Sequence, residues 1–108
     1  MRVVVDLELL RKRMRDRSPR ILSTPHDAAV AAILRPCDRG LELLYIERRH
    51  RPNDPWSGHI AFPGGRVEPS DTSLRATAER ETLEEIDLHL QKEHYIGRLD
   101  DLQGASLP

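Results

Sequence analysis

Apolar residues in this chain of 108 fall into short groups, each with its own period. Leu7, Leu9, Leu10 and Met14 recur at near-helical spacing among charged neighbours, which predicts an amphipathic N-terminal helix within residues 1–20. Ser18-Pro19 ends it, because proline pushes the residue before it out of the helical region. Asp27 to Leu34 is an apolar run that reads as a strand, although its alanines also suit a helix. Arg35 to Gly40 is rich in turn formers and Leu41 to Arg48 is apolar again, so the two runs predict a hairpin around a loop of about five residues. Pro52, Asn53, Asp54, Pro55 and Gly58 exclude a regular element from the next stretch. Ile60 to Phe62 is a short strand leading into a Pro63-Gly64-Gly65 turn. A second helix is predicted from Leu74 to Ile86, with Ser70, Asp71, Thr72 and Ser73 as N-cap candidates and Leu74, Ala78, Leu83 and Ile86 as its buried side. Asp87 stands where a helix-ending glycine is usual. Tyr95 to Leu99 reads as a last strand before a polar tail, and no internal repeat is present.

The length suits one small domain, which would bury roughly two thirds of its unfolded surface. Charged residues make up 32 % of the chain and aromatics 4 %, with a mean hydropathy of -0.58, so the core is expected to be modest and burial incomplete. Seventeen basic and 18 acidic residues leave a net charge of -1, which gives no global field for nucleic acid or a membrane surface. The run Arg11, Lys12, Arg13, Arg15, Arg17 and Arg20 reads as a solvated helix face and tail, with contact to an anionic ligand as the alternative. The single cysteine, Cys37, excludes an intrachain disulfide, lies in a turn and reads as structural. No stretch has the length of a membrane span or the order of a signal peptide, so a soluble cytoplasmic protein is expected.

The second helix carries the candidate chemistry. Glu84 and Glu85 lie three and four residues from Glu81, so the three carboxylates crowd one end of one face. Like charges at these spacings cost an isolated helix a few tenths of a kcal/mol per pair. A hard divalent cation reverses the sign, since it takes carboxylate oxygens and completes its shell with water and phosphate; a solvated acidic face is the bland alternative. Two successive glycines, Gly64 and Gly65, allow the backbone to approach a ligand closely. The irregular stretch before them holds His50, Arg51, Trp56 and His59, which can meet an anion or stack on a base. Packing for Trp56 and a structural hydrogen bond for His59 are the competing readings.

Gly64-Gly65, the acidic loop, Arg80-Glu81, Glu84-Glu85 and the apolar Leu88 together resemble the Nudix box. That box is the loop-helix-loop of hydrolases that cleave nucleoside diphosphates linked to another moiety, and the resemblance covers residues 62–88. The general pattern has a glycine and an acid where this chain has Arg66 and Thr72, with Gly65 and Asp71 the nearest substitutes. Gly58, Phe62 and the run from Gly64 through Asp71 to Arg80-Glu81 look similar to the coenzyme A pyrophosphatase branch. Asp54, where that branch has an arginine, and Asp87, in place of a closing glycine, depart from it.

The resemblance implies an α+β fold of the alpha/beta/alpha sandwich type with a mixed sheet, and Mg2+ or Mn2+ as cofactor. It implies metal ligation by Glu81, Glu85, Glu84 and a backbone carbonyl near Gly65. The implied catalytic residues are Glu81, Glu84 and Arg80, with Arg80 orienting a glutamate by pairing with Glu84 four residues along the helix. Arg49, His59, Gly64 and Gly65 would bind substrate, and the general base would be Glu81 or a residue outside this chain. The implied activity is metal-dependent hydrolysis of a diphosphate linkage in coenzyme A or a related nucleotide conjugate. The implied partner is a small-molecule nucleotide, with no nucleic acid or membrane, and a homodimer would cover exposed surface. Such domains continue well past the box, so residues 1–108 are expected to form a single partial domain, incomplete at the C-terminus. The alternative function is a truncated fragment that binds metal or nucleotide without turnover.

Overall fold

The computed structural model describes residues 6–47, 49–50, 52–53, 55 and 58–103. The readings placed on Arg51, Asp54 and Trp56, and the end of the second apolar run at Arg48, lie outside these residues.

Helix α1 spans Leu7–Asp16, capped by the Asp6 carboxylate, which accepts from the Glu8 N–H at 3.0 Å. Its inward side carries Leu7, Leu10 and Met14, while Leu9 is turned to solvent. Met14 lies against Gly97: a Cβ added there would stand 2.8 Å from Met14 Cε. Past the helix, the side chain of Arg17 bonds the Arg98 carbonyl at 2.8 Å and pairs with Asp100. The basic run is therefore partly structural.

The fold is α+β. The strands are β1 Ala28–Val30, β2 Leu34–Cys37, β3 Gly40–Leu43, β4 Ile46–Glu47, β5 Ile60–Ala61 and β6 Gly64–Arg66. Where a mixed sheet was expected, the described residues form three antiparallel pairs, β1 with β6, β2 with β3 and β4 with β5. Each apolar run read as one strand is divided between two of these pairs. Ala31 N–H bonds the Pro63 carbonyl at 2.8 Å and Leu44 N–H bonds the Ile33 carbonyl at 3.0 Å, so the chain leaves one ladder at residue 31 and enters the next by residue 33.

The hairpin is tighter than the sequence suggests. Arg35 pairs with Glu42 and Cys37 with Gly40 across β2 and β3, leaving Asp38-Arg39 as a two-residue turn in place of the expected loop of about five. Gly40 has φ of 118°, a conformation open to glycine, which permits that turn. Cys37 consequently ends a strand and is exposed.

Gly64-Gly65 is strand rather than turn, since Gly64 pairs with Val30 and Gly65 with Ala29, and only Pro63 before them is a bend. Val67 N–H adds a bond to the Asp27 carbonyl at 2.9 Å. Helix α2, Leu74–Ile86, packs on β1 and β6. Ser73 caps it by accepting from Ala76 N–H at 3.0 Å, and Asp87 closes it in the left-handed conformation (φ 54°), its N–H bonding the Leu83 carbonyl. Ser73→Ala should lower stability by about 1 kcal/mol, measurable as a lower urea midpoint at unchanged slope.

The buried side of α2 includes Ala78 as expected but is otherwise made by threonines. Thr77, Ala78 and Thr82 are the fully covered residues, whereas Leu83 is 43 % exposed and Leu74 and Ile86 are half-buried. A helix lying on a glycine strand sits close to it, so the contact face selects small side chains and sends leucine to the flank. Among the described residues the core is correspondingly small: Ala78 is its one fully buried apolar side chain apart from Pro63.

The stretch Tyr95 to Leu99 pairs with no strand among the described residues. A short 3-10 turn, Lys92–His94, precedes it, and side-chain bonds anchor the segment at its far end. The Asp101 carboxylate takes Leu22 N–H at 3.0 Å, His26 Nε2 at 2.6 Å and Arg98 Nη2 at 2.7 Å, while Asp101 N–H bonds the Arg20 carbonyl at 2.8 Å. Two consecutive aspartates thus pin residues 17–26 to the end of the described chain.

Candidate active site

The site is assembled where α2 crosses β6, and Arg80 is its centre. Arg80 Nε and Nη2 grip both oxygens of Asp71 at 2.9 and 3.0 Å, the two-pronged geometry in which guanidinium–carboxylate pairs are strongest. Nη2 also reaches the Arg66 carbonyl at 3.0 Å, which ties the strand to the helix. Nη1 bonds Glu81 Oε1 at 2.9 Å and lies 3.3 Å from Glu84 Oε2 and 3.5 Å from Glu68 Oε1. The expected Arg80–Glu84 pair is present as one of the longer contacts. Asp71 is the main partner.

Asp71 carries more of the site than its sequence position suggests. Its side chain is only 4 % exposed, and Oδ2 accepts from the Thr77 hydroxyl at 2.8 Å and from Glu68 N–H at 2.9 Å as well as from Arg80. Asp71 N–H returns a bond to the Glu68 carbonyl at 2.9 Å, closing residues 68–71 into a turn that folds back onto α2. The signal for this role was its place as the box's first acid; the reading of Asp71 as an N-cap candidate obscured it.

Hydrogen bonding from Arg80, then from the Glu68 backbone, holds the Asp71 carboxyl well below the usual carboxylate range, and the same Asp71 contact raises Arg80. His26 first, then Arg98 and Leu22 N–H, depress Asp101 likewise. A carboxyl depressed in the folded state adds stability that is complete above its unfolded value near 3.9 and is lost as pH falls toward the folded value. Thermal midpoints measured from pH 6 to pH 2 should therefore hold steady above about pH 5 on account of these groups and drop below about pH 4. Asp71→Asn and Asp101→Asn should each start lower and show a shallower acid slope.

Glu81 and Glu85 of α2 meet the two glycines of β6 directly. A Cβ built on Gly65 would stand 2.6 Å from Glu81 Cδ and 2.7 Å from its Oε2, so the Glu81 carboxylate occupies space that only glycine leaves open. Beside it, Gly64 N–H donates to Glu85 Oε1 at 3.2 Å. Glu84 points outward, its side chain 58 % exposed. Glu81, Arg80, Glu84, Glu85, Gly64 and Gly65 are thus brought together. Arg49 and His59 are exposed, the first beyond β4 and the second immediately before β5.

Among the described residues no three His, Cys, Asp or Glu side chains converge on one point. The donor set nevertheless fits a hard divalent cation: a carboxylate seated against the bare backbone of Gly65, a second one turn along the helix, and a third at the rim, all oxygen donors. In this arrangement Arg80 shares the negative charge of Glu81 and Glu84, which limits the repulsion expected from the spacing.

The family model described as the NUDIX domain matches residues 25–106 of the chain. An uncharacterized protein of Schizosaccharomyces pombe is 49 % identical over 61 residues, 55 % of this chain and 18 % of that protein. The mitochondrial coenzyme A diphosphatase NUDT8 of Homo sapiens is 40 % identical over 82 residues, 74 % of this chain and 34 % of that protein. The uncharacterized Nudix hydrolase NudL of Yersinia enterocolitica is 38 % identical over 63 residues, 58 % of this chain and 32 % of that protein. The matched part of the chain spans about a third or less of the length of these relatives. No described helix is long and apolar enough to cross a membrane.

Proposed function

The chain belongs to the Nudix family, and from that premise we propose that residues 62–88 hold Mg2+ or Mn2+ and hydrolyse a diphosphate linkage in a nucleotide conjugate such as coenzyme A. The observation that carries this reading is the seat of the Glu81 carboxylate on the Gly65 backbone, with Glu85 bonded to the adjoining Gly64 N–H. The human NUDT8 relative, described as a coenzyme A diphosphatase, supports the choice of substrate.

A divalent cation, when bound, supplies neutralisation of phosphate charge and a more acidic water. The chain's own residues do the rest. Glu81 and Glu85 offer carboxylate oxygens, with Glu84 adding negative charge at the rim. Arg80, locked by Asp71, holds the Glu81 carboxylate in one orientation, so little reorganisation is needed when substrate arrives. Arg49 and His59 are placed in this reading as contacts to the anionic substrate. In this reading Glu81, or a residue outside this chain, accepts a proton from the attacking water.

The experiment is a product screen with coenzyme A, ADP-ribose, dinucleoside polyphosphates and nucleoside triphosphates in excess Mg2+ or Mn2+. Cleavage of coenzyme A at the diphosphate is expected; no product from any of them contradicts the reading. A second reading, binding of metal or nucleotide without turnover, is favoured by the short span of the match, about a third or less of the length of these relatives. It predicts heat from metal or nucleotide binding in calorimetry with no product formed.

A further inference from the structure

Tyr45 and Phe62 are the next residues beyond the Ile46–Ala61 pair in the short β4–β5 ladder. Their rings are stacked, with centroids 5.0 Å apart and planes 18° from parallel. Phe62 is half-buried, whereas Tyr45 is 52 % exposed. One ring backs the other, and the outer one meets solvent. Phe62 is two residues from Gly64, so their Cα atoms are at most about 7 Å apart, and Gly64 N–H is the group that bonds Glu85. Phe62, which backs the exposed Tyr45 ring, therefore lies one short span of chain before the glycine that meets the carboxylate cluster.

We infer that Tyr45, backed by Phe62, is the platform on which the base of the nucleotide conjugate stacks. The inference rests on the diphosphatase reading for the identity of the ligand. A planar base stacks on an exposed aromatic face with little dependence on its hydrogen-bonding edge, because every base presents a π surface. The offset rings of Tyr45 and Phe62 already show that geometry between themselves, and a third planar group extends it. The phosphates then point toward Gly64 and Glu81. The sequence had offered Trp56 for this role, on a residue outside those described; the stacked pair supplies it from the two positions that flank the β4–β5 ladder. A competing role for the pair is mechanical, since a cross-strand aromatic contact stabilises a two-residue ladder.

The test titrates the full chain with AMP and, separately, with ribose 5-phosphate, without metal, following ligand and Tyr45 ring signals by NMR. Stacking moves the adenine proton signals of AMP upfield and shifts the Tyr45 ring signals. Tyr45→Leu should weaken AMP binding about 10-fold, and Tyr45→Phe should keep it within about twofold, while ribose 5-phosphate binds all three alike. No AMP binding by the parent chain, no upfield shift, or equal AMP affinity in Tyr45→Leu overturns the inference. Equal weakening of both ligands also overturns it, since that marks a role in holding the ladder alone. The ring shifts of the parent decide the matter even if Tyr45→Leu fails to fold. Loss of hydrolysis in Glu81→Gln with AMP stacking retained separates this inference from the diphosphatase reading.

Discussion

Glu81→Gln should lower the rate of diphosphate cleavage by about 10²–10⁴-fold, the range that removal of a positioned general base or acid spans. The exchange keeps the shape of the side chain and removes its charge. Its amide can still lie over Gly65, and Arg80 keeps its two bonds to Asp71, so the fold has no reason to open. What disappears is the anionic oxygen to which the proposed function assigns cation ligation and proton acceptance. Steady-state rates with coenzyme A, alongside a thermal melt within a few degrees of the parent, are the expected pair of results. Undiminished activity would place the chemistry elsewhere.

The two glycines of β6 should answer differently to the same substitution. At Gly65 the atoms nearest the added methyl are those at the end of the Glu81 side chain, which can swing away. Gly65→Ala should therefore fold well but drive the carboxylate off the backbone and away from Arg80. A displacement of about 1 Å in a positioned group costs about 10²-fold in rate, and a loss of that order is expected. At Gly64 the methyl meets backbone, with Val30 Cα 2.5 Å away and the Ala29 carbonyl closer still. Backbone cannot step aside. Gly64→Ala should destabilise by about 1–3 kcal/mol, as overpacked sites do, and lower activity through the loss of folded chain. Urea denaturation and steady-state rates on both variants check this, and equal stability losses would contradict it.

The parts of this molecule legible in its sequence are those written in local chemistry. Helix α2 lies from Leu74 to Ile86 as read, because Ser73 caps it and Asp87 can adopt the left-handed turn that ends it. The three glutamates stood out because their spacing on that helix fixes which side chains share a face, and the resemblance to the Nudix box supplied the rest. Strand partners were not legible. The run from Asp27 to Leu34 gives no sign that its first half joins β6 and its second half β2–β3, since pairing is set by residues far away in the chain. Gly64 and Gly65 looked like a turn because their strand role depends on how close α2 and β1 come.

Apolarity also misled where size decided. Leu83 was assigned inward on hydrophobic grounds, yet the helix rests on threonine and alanine because a glycine strand leaves room for nothing larger. Asp71 was hidden for a related reason: its partner, Arg80, is nine residues away and reached only once the loop folds back. Arg17 and Asp101 make the same point at the chain's ends, where charges that read as solvated hold two segments together.

The central claim is that Glu81, seated on Gly65, holds a divalent cation with Glu85. Titration of the chain with Mn2+, followed by the relaxation of water protons, tests it most directly and needs no substrate. One saturable site that Mg2+ displaces, and that is lost in Glu81→Gln and weakened in Gly65→Ala, is the predicted result. Mn2+ binding of the same strength in Glu81→Gln, or no saturable binding by the parent chain, would contradict it.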